Sequence, residues 1–294
     1  MTPQVAESVS PGARSASKGV HATLACLWEA TAPKPGNVYR GADFDDLTYA
    51  DFITSAAAIG PIINEARQIG ATVLAAVAAT REAVETNTNL GMLLLITPLA
   101  AAAEGRPLAE GVAEVLRNLT VEDANQVYAA IRLAQPGGLG RVDEADVNAP
   151  EAPQITLREA MALAADRDLV ARQYVNDFTE VRWTADRIAA AAVEQPLSEA
   201  IVRAYLELLA AHPDSLVARK CGSEIAAQVS AGAATVLDAL RHGDDAYQAC
   251  RAEFDFWLRA DGHRRNPGTS ADLIAAALFT LLREQRITWP VRFY

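Results

Sequence analysis

Between positions 49 and 70, Phe52, Ile53, Ala56, Ile59, Ile63 and Ala66 recur at three- and four-residue steps, which draws one apolar stripe along a helix. The same period runs through positions 20–30, 73–83, 112–119, 124–134, 201–211, 225–240 and 271–282. No stretch makes a convincing alternating strand, so the pattern predicts an all-α fold, a multi-helix globular bundle whose active site is carried on loops. The longest apolar run, 90–103, is shorter than the roughly 18 residues a membrane span needs and contains Gly91, Thr97 and Pro98. It reads as a buried core helix.

Three interruptions, 33–46, 137–154 and 259–269, collect Gly, Pro, Asp and Asn. The middle one, with Asp143, Glu144, Asp146, Pro150 and Pro153, reads equally as a hinge between two lobes or a surface loop inside one domain. Residues 1–18 are polar and Ser/Ala-rich without the apolar stretch of a secretory signal, and read as a flexible tail before a helical domain over 19–294.

Composition narrows the class. Hydrophobic residues at 51% and charged residues at 21% match a folded globular chain. A formal net charge of −11 opposes nucleic acid and anionic lipid as partners, so an anionic substrate needs a local basic pocket. Cys26, Cys221 and Cys250 lie far apart with no zinc spacing, which fits a reducing cytoplasm.

The loop Pro33-Lys34-Pro35-Gly36-Asn37-Val38 holds Lys34 between two prolines, a setting for a phosphate-binding ammonium, and Gly36 allows a backbone N–H to approach a ligand. Asp43, Asp45 and Asp46 follow, carboxylates suited to Mg²⁺. An ordinary turn with solvated acids accounts for the spacing equally well. In Asn87-Thr88-Asn89-Leu90-Gly91 the short polar side chains either cap the apolar helix or join its free N–H groups around an anion. Arg264-Arg265-Asn266-Pro267-Gly268-Thr269-Ser270 makes an anion cradle at a helix start, with Asp272 in the first turn as dipole partner, metal ligand or catalyst. Asp168 and Arg172 read as an i, i+4 surface pair, and Asp214 or Ser215 as an N-cap before Arg219 and Lys220.

Taken in order, Pro-Lys-Pro-Gly-Asn-Val with its downstream Gly-Ala-Asp, Asn-Thr-x-x-Gly before an apolar helix, and Pro-Gly-x-Ser-Ala-Asp-Leu near the end resemble the triphosphoribosyl-dephospho-CoA synthase family over about 20–284. The resemblance implies an all-α pentosyltransferase that joins the ribose C1 of ATP to the 2′-hydroxyl of 3′-dephospho-CoA and expels adenine. Family members acting on dephospho-CoA tend to carry His-Lys where this chain has Asn89-Leu90. That departure resembles a divergent branch found in archaea and tetrahydromethanopterin-using bacteria. A ribosyl transferase for another hydroxyl acceptor in such a pathway is therefore the alternative, and a non-catalytic nucleotide-binding helical protein is a second.

Such a reaction needs carboxylates near an oxocarbenium-like sugar and an acid for the departing base. For such a reaction Asp43, Asp45 and Asp272 are the candidate catalytic groups and Mg²⁺ ligands. Lys34, Gly36, Asn87, Thr88, Arg219, Lys220, Arg264, Arg265, Gly268 and Ser270 are the candidates around the nucleotide. A homo-oligomer is left open.

Overall fold

The computed structural model describes residues 16–137, 147, 153–287 and 289–294; the residues 1–15 of the expected tail and most of the expected hinge loop lie outside them. The described residues form α1 (Lys18–Thr31), α2 (Tyr49–Asn64), α3 (Ile69–Val84), α4 (Leu90–Ala101), α5 (Leu108–Arg117), α6 (Val121–Ala134) and α7 (Leu157–Ala162). They continue with α8 (Leu169–Gln173), α9 (Thr179–Ala191), α10 (Leu197–Ala211), α11 (Ser215–Cys221), α12 (Ser223–Ala239), α13 (Asp244–Arg259) and α14 (Gly268–Arg283). Apart from one 3₁₀ turn, a four-residue extended segment, Ala260–His263, and two isolated bridges, the described residues are helical or irregular. None of these helices is long and apolar enough to cross a membrane.

The stripe over 49–70 resolves into two helices, because α2 stops at Glu65 and a new helix starts at Ile69. The second start is fixed from outside: the Gly70 N–H donates to Asp123 Oδ1 at 2.9 Å, and a Cβ on Gly70 would lie 2.7 Å from the Asp123 backbone. Asp123 also closes the capping box that starts α6 with Thr120, so one carboxylate ties two helix starts together.

The core centres on α14 and α4. From Leu273 to Phe279 every side chain of α14 has zero exposure, and α4 is buried from Met92 to Ala100. A fully buried Leu, Ile or Phe stabilises the fold by about 1.5–3 kcal/mol, so these two helices carry a large share of the apolar burial. Both are apolar all round, as a helix enclosed by others must be. Because α14 packs on α1 and α4 from one half of the chain and on α9 and α10 from the other, the two halves share one core.

The Pro-Lys-Pro-Gly loop is clamped onto this core through its carbonyls. Tyr205 Oη donates to Pro35 O at 2.8 Å, Arg251 donates to Pro33 O at 3.1 Å, and Arg259 donates to the carbonyls of Asn37 and Ala42. Buried backbone oxygens require such partners, and α10 and α13 supply them.

Candidate active site

Two connected chambers open where helix starts meet. The smaller, about 110 Å³, is lined by Glu29, Asn37, Asn87, Gly91, Asn266 and Asp272 among others. The larger, about 640 Å³, has an apolar wall that includes Leu94, Val127, Ile131, Met161 and Val170, and a charged wall of Arg167, Asp168, Arg219, Lys220 and Asp272. Asn87, Leu90, Gly91 and Asp272 border both, which places the Asp272 carboxyl at the junction.

A chain of buried hydrogen bonds brings the charged wall together. Asp214 caps α11 through the N–H groups of Leu216 and Val217, and its other oxygen accepts from Ser270 N–H at 2.7 Å and Ser270 Oγ at 2.8 Å at the start of α14. Ser215 Oγ accepts from the Leu169 N–H and bonds to Thr269 Oγ1 at 3.1 Å, which joins α8, α11 and α14. Asp168 caps α8 through Val170 and Ala171 and pairs with Arg219. The three helix starts thus converge beside Arg219 and Lys220, with their N–H groups taken up by Asp168 and Asp214.

The electrostatics single out Asp272. Its side chain is only partly exposed, toward the chambers. Burial first, then the charges of Glu29, Asp214 and Asp168, push its carboxyl well above the ordinary carboxylate range, with Arg219 opposing. Burial also lowers the Lys220 ammonium from its usual value.

Of the residues singled out in the sequence, Asp272, Arg219, Lys220, Asn87, Thr88 and Gly268 line the chambers. The capping alternative also describes part of that set. Asn87 Oδ1 accepts from the Leu90 N–H at 3.1 Å, and Thr88 Oγ1 donates to Ser55 Oγ at 2.6 Å. Ser270 lies behind the site, wholly buried against Asp214.

Others sit elsewhere. Lys34 lines neither chamber: it is fully buried, its Nζ 2.8 Å from Glu29 Oε1 and bonded to the carbonyls of Glu29 and Ala32. The Gly36 N–H donates to Asp255 Oδ1 at 2.7 Å, and a Cβ there would meet Leu258. Asp43 is exposed and accepts from the Tyr49 N–H at 2.6 Å at the start of α2, while Asp45 is exposed without lining either chamber. Arg264 faces Asp261, and Arg265 stacks on Trp257 while donating to its carbonyl. Asp168 pairs with Arg219 rather than with Arg172, which approaches Glu180 at 4.0 Å instead.

Asp43, Asp45 and Asp272 therefore form no common metal site, and no group of three His, Cys, Asp or Glu side chains suited to a metal occurs among the described residues. The sequence reading passed over Glu29, although the signal was present. Ala22, Ala25, Cys26 and Glu29 follow one another at helical steps on the buried face of α1, so an acid stands where an apolar residue belongs.

The fold is all-α, and its chambers set one apolar wall against one charged wall. The chain belongs to the ATP:dephospho-CoA triphosphoribosyl transferase family, whose model matches residues 16–290, and it is accordingly a transferase. It is similar to the crystal structure of a candidate triphosphoribosyl-dephospho-CoA synthase from Archaeoglobus fulgidus. The two share 27% identity and a TM-score of 0.62, over 78% of this chain and 97% of that one. No curated protein matches the sequence.

Proposed function

We propose that the protein transfers the triphosphoribosyl group of ATP to a hydroxyl of 3′-dephospho-CoA, or of a related acceptor, and releases adenine. The observation that carries the reading is Asp272 at the junction of the two chambers, within reach of a polyanion seated against Arg219, Lys220 and Arg167. These cations neutralise the triphosphate through charge-assisted contacts. The apolar wall gives adenine or the acceptor a dry surface.

With its carboxyl pushed well above the ordinary carboxylate range by burial and like charges, Asp272 donates a proton to a ring nitrogen of the departing base as C1 gains oxocarbenium character. An accompanying Mg²⁺ would meet the phosphate oxygens of the substrate. When bound it supplies positive charge to the phosphates.

The test incubates the purified chain with ATP, Mg²⁺ and a panel of hydroxyl acceptors and measures free adenine. Release that depends on dephospho-CoA supports the reading. Release only with a ribitol- or pterin-type acceptor reassigns the acceptor, and no release with any acceptor overturns the reading.

A further inference from the structure

Glu29 and Lys34 form a buried ion pair that borders the reaction chamber. Their side chains are 3% and 0% exposed, and Nζ lies 2.8 Å from Oε1. The other oxygen, Oε2, is buried and has no hydrogen-bond partner, while Glu29 lines the small chamber that also contains Asp272. A buried carboxylate oxygen without a donor is costly, and such a group persists where a ligand supplies the donor. Asn37 Oδ1, on the same chamber, is likewise unpartnered. The chamber therefore offers acceptors to a molecule that brings O–H groups.

We propose that Glu29 is a catalytic residue of this site, its Oε2 accepting the proton of the attacking hydroxyl, with Lys34 as the positioning residue that pairs with Oε1 and aims the carboxylate. The inference rests on the ribosyl-transfer reading above. In the step, the acceptor O–H bond breaks and its proton passes to Glu29 Oε2. The freed oxygen pair bonds to ribose C1 as the C1–N bond breaks, its electron pair leaves on adenine, and Asp272 protonates the base. Glu29 ends neutral and Asp272 ionised, and one proton moved from the first to the second restores the site.

The surroundings separate the two carboxyls in the required sense. Burial raises both, but the Lys34 charge and hydrogen bond draw Glu29 back toward the ionised form, whereas Asp272 has no bonded cation and is raised further by Glu29, Asp214 and Asp168 against Arg219. Both carboxyls end above their ordinary range, and the bonded cation that Glu29 has and Asp272 lacks is what favours Glu29 as the base of the pair. The other titratable groups that couple to Glu29 are the buried Cys26 and Tyr205, both pushed up by burial.

The experiment compares wild type, Glu29→Gln, Lys34→Met and the double variant Glu29→Gln/Lys34→Met, using ATP, Mg²⁺ and whichever acceptor supports adenine release. The double variant removes both buried charges at once, so it keeps the helical circular dichroism spectrum even where Glu29→Gln alone does not fold. It should lose on the order of 10²–10⁴-fold in kcat with ATP affinity unchanged. Lys34→Met should move the acidic limb of the kcat/KM profile to higher pH, because the charge that favours ionised Glu29 is gone. A folded double variant with wild-type kcat, or an acidic limb unmoved in Lys34→Met, overturns the proposal and leaves the pair structural. A wild type that releases no adenine with any acceptor overturns the transfer reading and this inference with it.

Discussion

A Cβ placed on Gly91 would lie 2.0 Å from Oδ2 and 2.5 Å from Cγ of Asp272. The second residue of α4 and Asp272, which is the fifth residue of α14 and so lies beyond the first turn expected from the sequence, are thus in direct contact through a carboxyl that only a glycine admits. A contact under 3 Å forces a shift, and the Asp272 side chain is the part that can move. Gly91→Ala should therefore lower adenine release at least tenfold while leaving the thermal midpoint close to wild type, since alanine gains roughly 1 kcal/mol of helix propensity. Undiminished turnover in that variant would show that the carboxyl position is not critical.

Asp272→Asn should abolish turnover and change the pH dependence of stability. The folded carboxyl is raised, so the native state holds this proton more tightly than the unfolded chain does. The stabilisation is complete below the unfolded value of about 3.9 and is lost as pH rises through the folded value. An amide never ionises, so the variant's melting temperature should pull ahead of wild type as pH increases above the ordinary carboxylate range. Calorimetry from mildly acidic to alkaline pH checks the sign: a gap that shrinks with pH contradicts it.

Arg219→Ala removes a chamber cation and the partner of Asp168. Losing a charge-assisted phosphate contact costs about 1.5–3 kcal/mol, or roughly ten- to a hundred-fold in the Kd for ATP by titration calorimetry. Arg264→Ala, at an exposed side chain paired with Asp261 outside the chambers, should leave that Kd within about twofold, because exposed pairs contribute little.

Lys34→Ala should act on stability before it acts on nucleotide affinity. It strands Glu29 in the interior, and breaking a buried pair by removing one partner costs about 3–5 kcal/mol in urea unfolding at neutral pH. A weaker Kd for ATP with unchanged stability would instead return Lys34 to the phosphate site.

The Asn89-Leu90 pair divides in two. Asn89 is buried, donates to Thr80 Oγ1 at 3.0 Å and borders the small chamber, whereas Leu90 borders both. Leu90→Lys should raise affinity for anionic dephospho-CoA, and Asn89→His should mainly destabilise by breaking the buried bond, with equilibrium binding and thermal melts as the two readouts. Equal affinity for dephospho-CoA in Leu90→Lys and wild type would remove position 90 from acceptor choice.

Much of this protein is written in local pattern. Wide apolar stripes define α1, α3, α6, α10 and α12, because a helix that buries one face repeats its apolar residues every three to four positions whatever packs on it. The narrower stripe of α13, Tyr247, Phe254 and Leu258 among charged residues, marks a peripheral helix and carries a weaker signal. Asp272, Arg219 and Lys220 could be picked out because charged or polar groups beside Gly, Pro or an apolar helix stand out against their neighbours. Direction and company could not. Lys34 turns inward because Glu29 waits at the end of α1, and Asp43 caps α2 instead of meeting Asp272. The meeting of α4, α8, α11 and α14 depends on buried bonds such as Asp214 to Ser270 and Ser215 to Thr269, which span 56 and 54 positions. Periodicity fixes which face of a helix is buried; only the packed core fixes which other helix that face meets, and the active site is made of those meetings.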